Sequence, residues 1–165
     1  MKNFNHTWVS DCQRAPKSIY ITNGMTMCLP PERVDRLFAG MGCHEHGSLD
    51  LQLRNTMLTH MSLNVIAPMK TEINPELLEF VKHSTDIYKE FIRPILPDSL
   101  IYHHTPETDK AHKNGFVSLE IATQDKTKGA ITVFSTENNN GNSIVIKPKG
   151  VTINKNYKIW LDNDR

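Results

Sequence analysis

The densest cluster of reactive side chains in the sequence is His6-Thr7-Trp8-Val9-Ser10-Asp11, which closes an apolar run beginning at Phe4. An aspartate at the C-terminal end of a strand stands where parallel α/β folds and barrels keep their catalytic groups. Beside the Trp8 ring and the apolar body of the strand, the charged form of Asp11 would be disfavoured, as a general acid requires. Aspartate is also a favoured helix cap, so a purely structural use of Asp11 stands beside the catalytic one. A second cluster is Cys43-His44-Glu45-His46-Gly47. His44 and His46 would face one side of an extended strand, the start of a metal site. A closed zinc centre needs further ligands that the sequence does not supply, and pocket lining or hydrogen bonding is the expected role. No metal and no organic cofactor are expected. Cys12 or Cys43 could pair with His6 or His44 for nucleophilic chemistry, but no local protease signature accompanies them. His103-His104 is expected to face solvent on one side of a strand. No glycine-rich phosphate loop and no dinucleotide fingerprint are present.

The elements that must position these groups change character near residue 97. Up to there, short apolar runs alternate with helical patterns. Phe4 to Val9 reads as a strand. Pro16 to Cys28 is ambiguous, because Ile19-Tyr20-Ile21 suits a strand while Pro16 suits a helix start. Leu29-Pro30-Pro31 breaks it. Phe38 to His44 reads as a glycine-punctuated strand, and Ser48 to Met61 as a helix with Leu49, Leu53, Met57 and Met61 on one stripe. Leu63 to Ala67 has the apolar character of a buried parallel strand. The clearest helix runs from Pro75 to about Ile92, with Asn74 as cap, Glu76 and Glu79 in the first turns, and Leu77, Phe80, Val81, Ile87, Tyr88 and Phe91 on its apolar face. Pro94 and Pro97 should end it. Beyond Asp98 the period becomes two: Phe116 to Ile121, Ala130 to Thr136, Ile144 to Ile146 and Tyr157 to Leu161 read as strands, joined by turns at Asp125 to Gly129 and Asn138 to Asn142.

Composition bounds the partners. The chain has 165 residues, 38% hydrophobic and 22% charged, with a net charge of +1, which fits a folded domain with a core. No Lys/Arg cluster marks a nucleic-acid footprint. No apolar run approaches the roughly 18 residues needed to cross a bilayer, so neither nucleic acid nor membrane is an expected partner. Three cysteines without framework spacing argue against a disulfide scaffold. No signal-peptide pattern is visible, which leaves the compartment open. Three β/α units leave two open sheet edges and uncovered apolar surface. Such units belong to a continuing sheet or to a closed (β/α)8 barrel of about 250 residues, so the chain is expected to be a fragment whose true N-terminus lies upstream.

In order, these pieces resemble the C-terminal part of the melibiase-type α-galactosidases, glycoside hydrolase family 36. Trp8-Val9-Ser10-Asp11 is similar to the family's Trp-x-Ser-Asp motif at the end of barrel strand six, and Met41-Gly42-Cys43-His44 to its Met-Gly-x-His strand. The segment Ile19 to Pro30, the helix holding Arg54 and the Tyr88-Lys89 helix end follow in family order. The sequence departs from the family where Cys12-Gln13-Arg14-Ala15 and Glu45-His46 follow the two motifs.

The resemblance implies an α/β fold: the last three units of a (β/α)8 TIM barrel over 1–97, followed over 98–165 by a partial antiparallel β-sandwich domain. It implies Asp11 as the acid/base of a retaining α-galactosidase, with Trp8 and His44 near the substrate, a galactose-containing oligosaccharide. The family's nucleophile, in a Lys-x-Asp strand, has no counterpart in this sequence, so the chain alone is expected to be inactive. A homo-oligomer is an allowed state of the full-length enzyme. The rival reading is a non-catalytic carbohydrate-binding or interaction module with a vestigial barrel, and a third keeps the enzyme but takes α-N-acetylgalactosaminides.

Overall fold

The computed structural model describes residues 5–10, 16–38, 49–63, 75–106, 115–136 and 143–162. Two three-stranded sheets organise them. The first is parallel, β1 (Thr7–Trp8), β2 (Val34–Phe38) and β3 (His60–Leu63) lying side by side in chain order. Its crossovers carry α1 (Lys17–Met25) and α2 (Leu49–Met57), and α3 (Pro75–Ile87) follows β3. The second sheet is antiparallel, made of β4 (Ser99–His103), β5 (Phe116–Thr123) and β6 (Gly129–Ser135), with β5 in the centre. A mixed α/β architecture with one sheet of each kind is therefore present.

Several boundaries differ from the expectation. The ambiguous Pro16–Cys28 segment is helical because Ser18, Ile19, Thr22 and Asn23 are buried along one side, and packing outweighs the β preference of Ile19-Tyr20-Ile21. A strand lies at Val34–Phe38, a 3-10 turn at Pro31–Arg33 leading into it, and of the strand expected over Phe38–His44 only Phe38 is among the described residues. Residues 39–44 lie outside the described residues. Helix α2 stops at Met57, and Met61 belongs to β3, three residues ahead of the strand expected at Leu63–Ala67. α3 does not end at Pro94. It opens into a π turn at Tyr88–Ile92 and regains α geometry at Arg93–Ile95, where Pro94 occupies a first-turn position that needs no N–H donor.

Three apolar clusters hold the layers together. Phe38, Leu53 and Val81 pack β2 against α2 and α3, with Met61 and Phe80 beside them. Leu119 and Ile121 of β5 pack on Leu58, Ile92, Ile95 and Leu96. Val117 and Phe134 pack on Ile19 and Tyr20 of α1. The second sheet is thus seated on the helices that cover the first. The alternation over Phe116–Ile121 suggests one buried face, yet both faces of β5 are buried. The reason is the segment around Lys149 and Gly150, whose amides donate to the Glu120 carboxylate at 2.9 and 2.6 Å. Gly150 fits there because a Cβ would stand 2.2 Å from that of Ala122. Ile144–Ile146 and Tyr157–Leu161 form no strand, since no ladder partner pairs with them among the described residues.

Candidate functional site

The parallel sheet presents two unlike faces. Along β2, Val34 and Phe38 point to the helices, and side chains alternate along a strand, so Asp35 and Leu37 point the other way. Trp8, Asp35 and His60 stand level across the three strands, and Leu37 is level with Ser62. One polar face therefore gathers side chains from all three strands.

Asp35 is its centre. Ser62 Oγ donates to Asp35 Oδ1 at 2.5 Å, and His6 Nε2 lies 3.5 Å from Asp35 Oδ2. The His6 ring stacks flat on His60, with centroids 4.9 Å apart and planes within 3°. A carboxylate only 8% exposed is tolerable because both oxygens have polar partners. The order of contact is serine, carboxylate, imidazole. A nucleophilic triad needs the imidazole in the middle, taking the serine proton, so this set is not one. Above it, Trp8 remains 46% exposed at the end of β1, an aromatic surface at the edge of the polar face. Beside the same strand end, Val9 and Ser10 line a cavity of about 340 Å³ with Tyr20, Ile21, Gly24 and Met25 of α1.

Of the residues expected to carry chemistry, the structure places Trp8 on this face. Asp11 and His44 lie outside the described residues, as do Cys12, Cys43 and His46. Sequence reasoning missed Asp35, His60 and Ser62. No element was expected over Asp35-Arg36, yet Arg36 is 1% exposed on the helix-facing side. The expectation for His103-His104 is corrected. His103 Nε2 is 3.0 Å from Oγ1 of Thr26, the residue that caps the C-terminus of α1, and burial lowers its pKa from the ordinary value. His104 Nε2 lies 2.6 Å from Glu120 Oε2 in a pair almost wholly buried. Both imidazoles bind at the seam between α1, the second sheet and its trailing segment, because the chain returns to each from far along the sequence.

No family model and no curated protein matches the chain. Solved structures do. The GH36 α-galactosidase AgaA from Geobacillus stearothermophilus is 16% identical, with a TM-score of 0.65 over 79% of this chain and 17% of that one. A doubly substituted form of that enzyme in complex with raffinose gives 14% identity and a TM-score of 0.64 over the same shares. The α-galactosidase from Lactobacillus brevis gives 16% and 0.63, again over 79% and 17%. The chain therefore has the fold of a part, 17% of the length, of these GH36 α-galactosidases.

Proposed function

We propose that the chain supplies the last three β/α units, 1–97, and part of the C-terminal β domain, 98–165, of a retaining α-galactosidase. Asp11 is the acid/base in this reading, and Trp8 and His44 help to hold the sugar. The observation that carries it is the polar face of the parallel sheet, joined to the fold likeness. Three parallel strands in sequential order, helices on one side and an exposed Trp8 with a paired carboxylate on the other, are what a barrel shows on its inner side before it closes. The chemistry follows the two-carboxylate scheme. A nucleophilic carboxylate supplied by the remaining barrel attacks the anomeric carbon while Asp11 protonates the departing oxygen. Asp11 then takes a proton from the water that releases the sugar, with the two carboxyls about 5–5.5 Å apart. The substrate is a terminal α-galactoside of an oligosaccharide.

The test is turnover of an aryl α-galactoside by the 165-residue chain over several pH values. The expected result is none, because the second carboxylate is missing. Turnover that an Asp11→Ala control abolishes would overturn the reading of the chain as one part of a barrel.

A further inference from the structure

We propose a second sugar-sized binding site in the cavity where the π turn meets the start of β3. It rests on the function proposed above only in the choice of sugar. The cavity, half-open to solvent, has a volume of about 440 Å³ and is lined by Glu32, His60, Met61, Tyr88, Arg93, Leu96 and Pro97. That volume lies within the ordinary range of small-molecule pockets.

Its walls are fixed in advance. The Tyr88 hydroxyl donates to the Thr59 carbonyl at 3.2 Å and accepts from the Met61 N–H at 3.3 Å, so the phenol is fully engaged and serves as a rigid ring. Burial raises its pKa, which keeps it neutral. His60 is held by the stacked His6 ring. The π turn Tyr88–Ile92 adds a residue to the helical ladder at this point and sets Tyr88 and Arg93 on the same cavity. Such inserted turns are rare and concentrate at functional sites.

Two charged groups there lack a close partner among the described residues. Arg93 makes no ion pair among the described residues, and Glu32 has only a 3.9 Å contact with Arg33. A guanidinium and a carboxylate on one cavity balance in charge, which disfavours an anion and a cation alike. Together they offer forked donors and acceptors, the complement of adjacent hydroxyl groups. Tyr88, Met61, Leu96 and Pro97 supply an apolar wall for the C–H face of a ring. A neutral polyhydroxylated ring, a monosaccharide or the terminal unit of an oligosaccharide, matches both halves of this lining.

The experiment is a titration of the 165-residue chain with D-galactose, followed by ligand-observed NMR, and a parallel titration with sulfate. Saturable galactose binding is expected, weakened about tenfold or more by Arg93→Ala and by Glu32→Ala and unaltered by Lys147→Ala, an exposed residue away from the cavity. Both cavity residues sit at the surface, and thermal unfolding of each variant confirms that the fold survives. Absence of saturable galactose binding, binding that neither cavity substitution weakens, or sulfate binding that displaces galactose would each overturn the proposal. Failure of this site shows in galactose binding and its cavity variants, while failure of the catalytic reading shows in aryl α-galactoside turnover, so the two give different patterns.

Discussion

The two faces of strand β2 divide the labour of this fold. Val34 and Phe38 turn toward α2 and α3 and vanish from solvent, while Asp35, one residue along, turns the other way and binds Ser62 and His6. A strand in a parallel sheet is usually apolar on both faces. Here one face is a packed core and the other is a polar cluster beneath an exposed tryptophan. The lesson is that stability and chemistry can be read apart on a single strand, five residues long. Arg36 shows that the division is by contact and not by residue class, since it is buried on the helix side.

The comparison breaks if substitutions on the two faces behave alike. Phe38→Ala empties a fully buried aromatic site and should cost about 3–5 kcal/mol in urea unfolding. Asp35→Ala removes a carboxylate and leaves Ser62 without its acceptor, for about 1–3 kcal/mol. Equal costs, or a larger one at Asp35, would mean that the polar face is the main structural support after all.

Much of the helical layer was legible in the sequence. Pro75 and Glu76 mark the start of α3, and Phe80, Val81, Ile87, Tyr88 and Phe91 recur with the helical period and do face the core. The β strands were legible where their partners lie close in the chain. β5 and β6 are joined by a tight turn at Asp125–Lys128, with Lys126 at a φ of 58°. Where partners are distant, local pattern misled. Val34–Phe38, for which the pattern gave no strand before Phe38, is a strand because β1 and β3 flank it. Ile144–Ile146 and Tyr157–Leu161 alternate like strands, but Val145, Ile159 and Leu161 stay exposed because alternation without a ladder partner does not make a strand. His104 belongs to the same class of error, since its burial depends on Glu120 across the β4–β5 connection. Asp35 and Ser62 become a pair only through the register of β2 and β3.

The smallest expected effect sharpens a second contrast, between the polar face and the seam where α1 meets the antiparallel sheet. Burial holds the His103 pKa below its ordinary value of 6.5. A depressed pKa means that the unfolded chain binds the proton more readily. The contribution is therefore present above about pH 6.5 and is lost as the pH falls through the lower, folded value. Thermal unfolding should show a midpoint that falls slightly between about pH 7.5 and 5.5 in the unsubstituted chain, and less steeply in His103→Gln. Identical profiles for the two proteins would show that His103 is not sensed at this seam.

The proposal that Asp11 is the acid/base of a retaining α-galactosidase is tested most directly by leaving-group dependence in the complete enzyme. Protonation matters when the departing group is a poor one, so Asp11→Ala should slow a natural galacto-oligosaccharide by about 10²–10⁴-fold. An activated aryl α-galactoside needs little protonation, and its first step should be largely spared. The glycosyl-enzyme would then accumulate, and added azide, which needs no base, should restore turnover and release α-galactosyl azide. Equal losses on both substrates with azide ineffective would remove Asp11 from the mechanism.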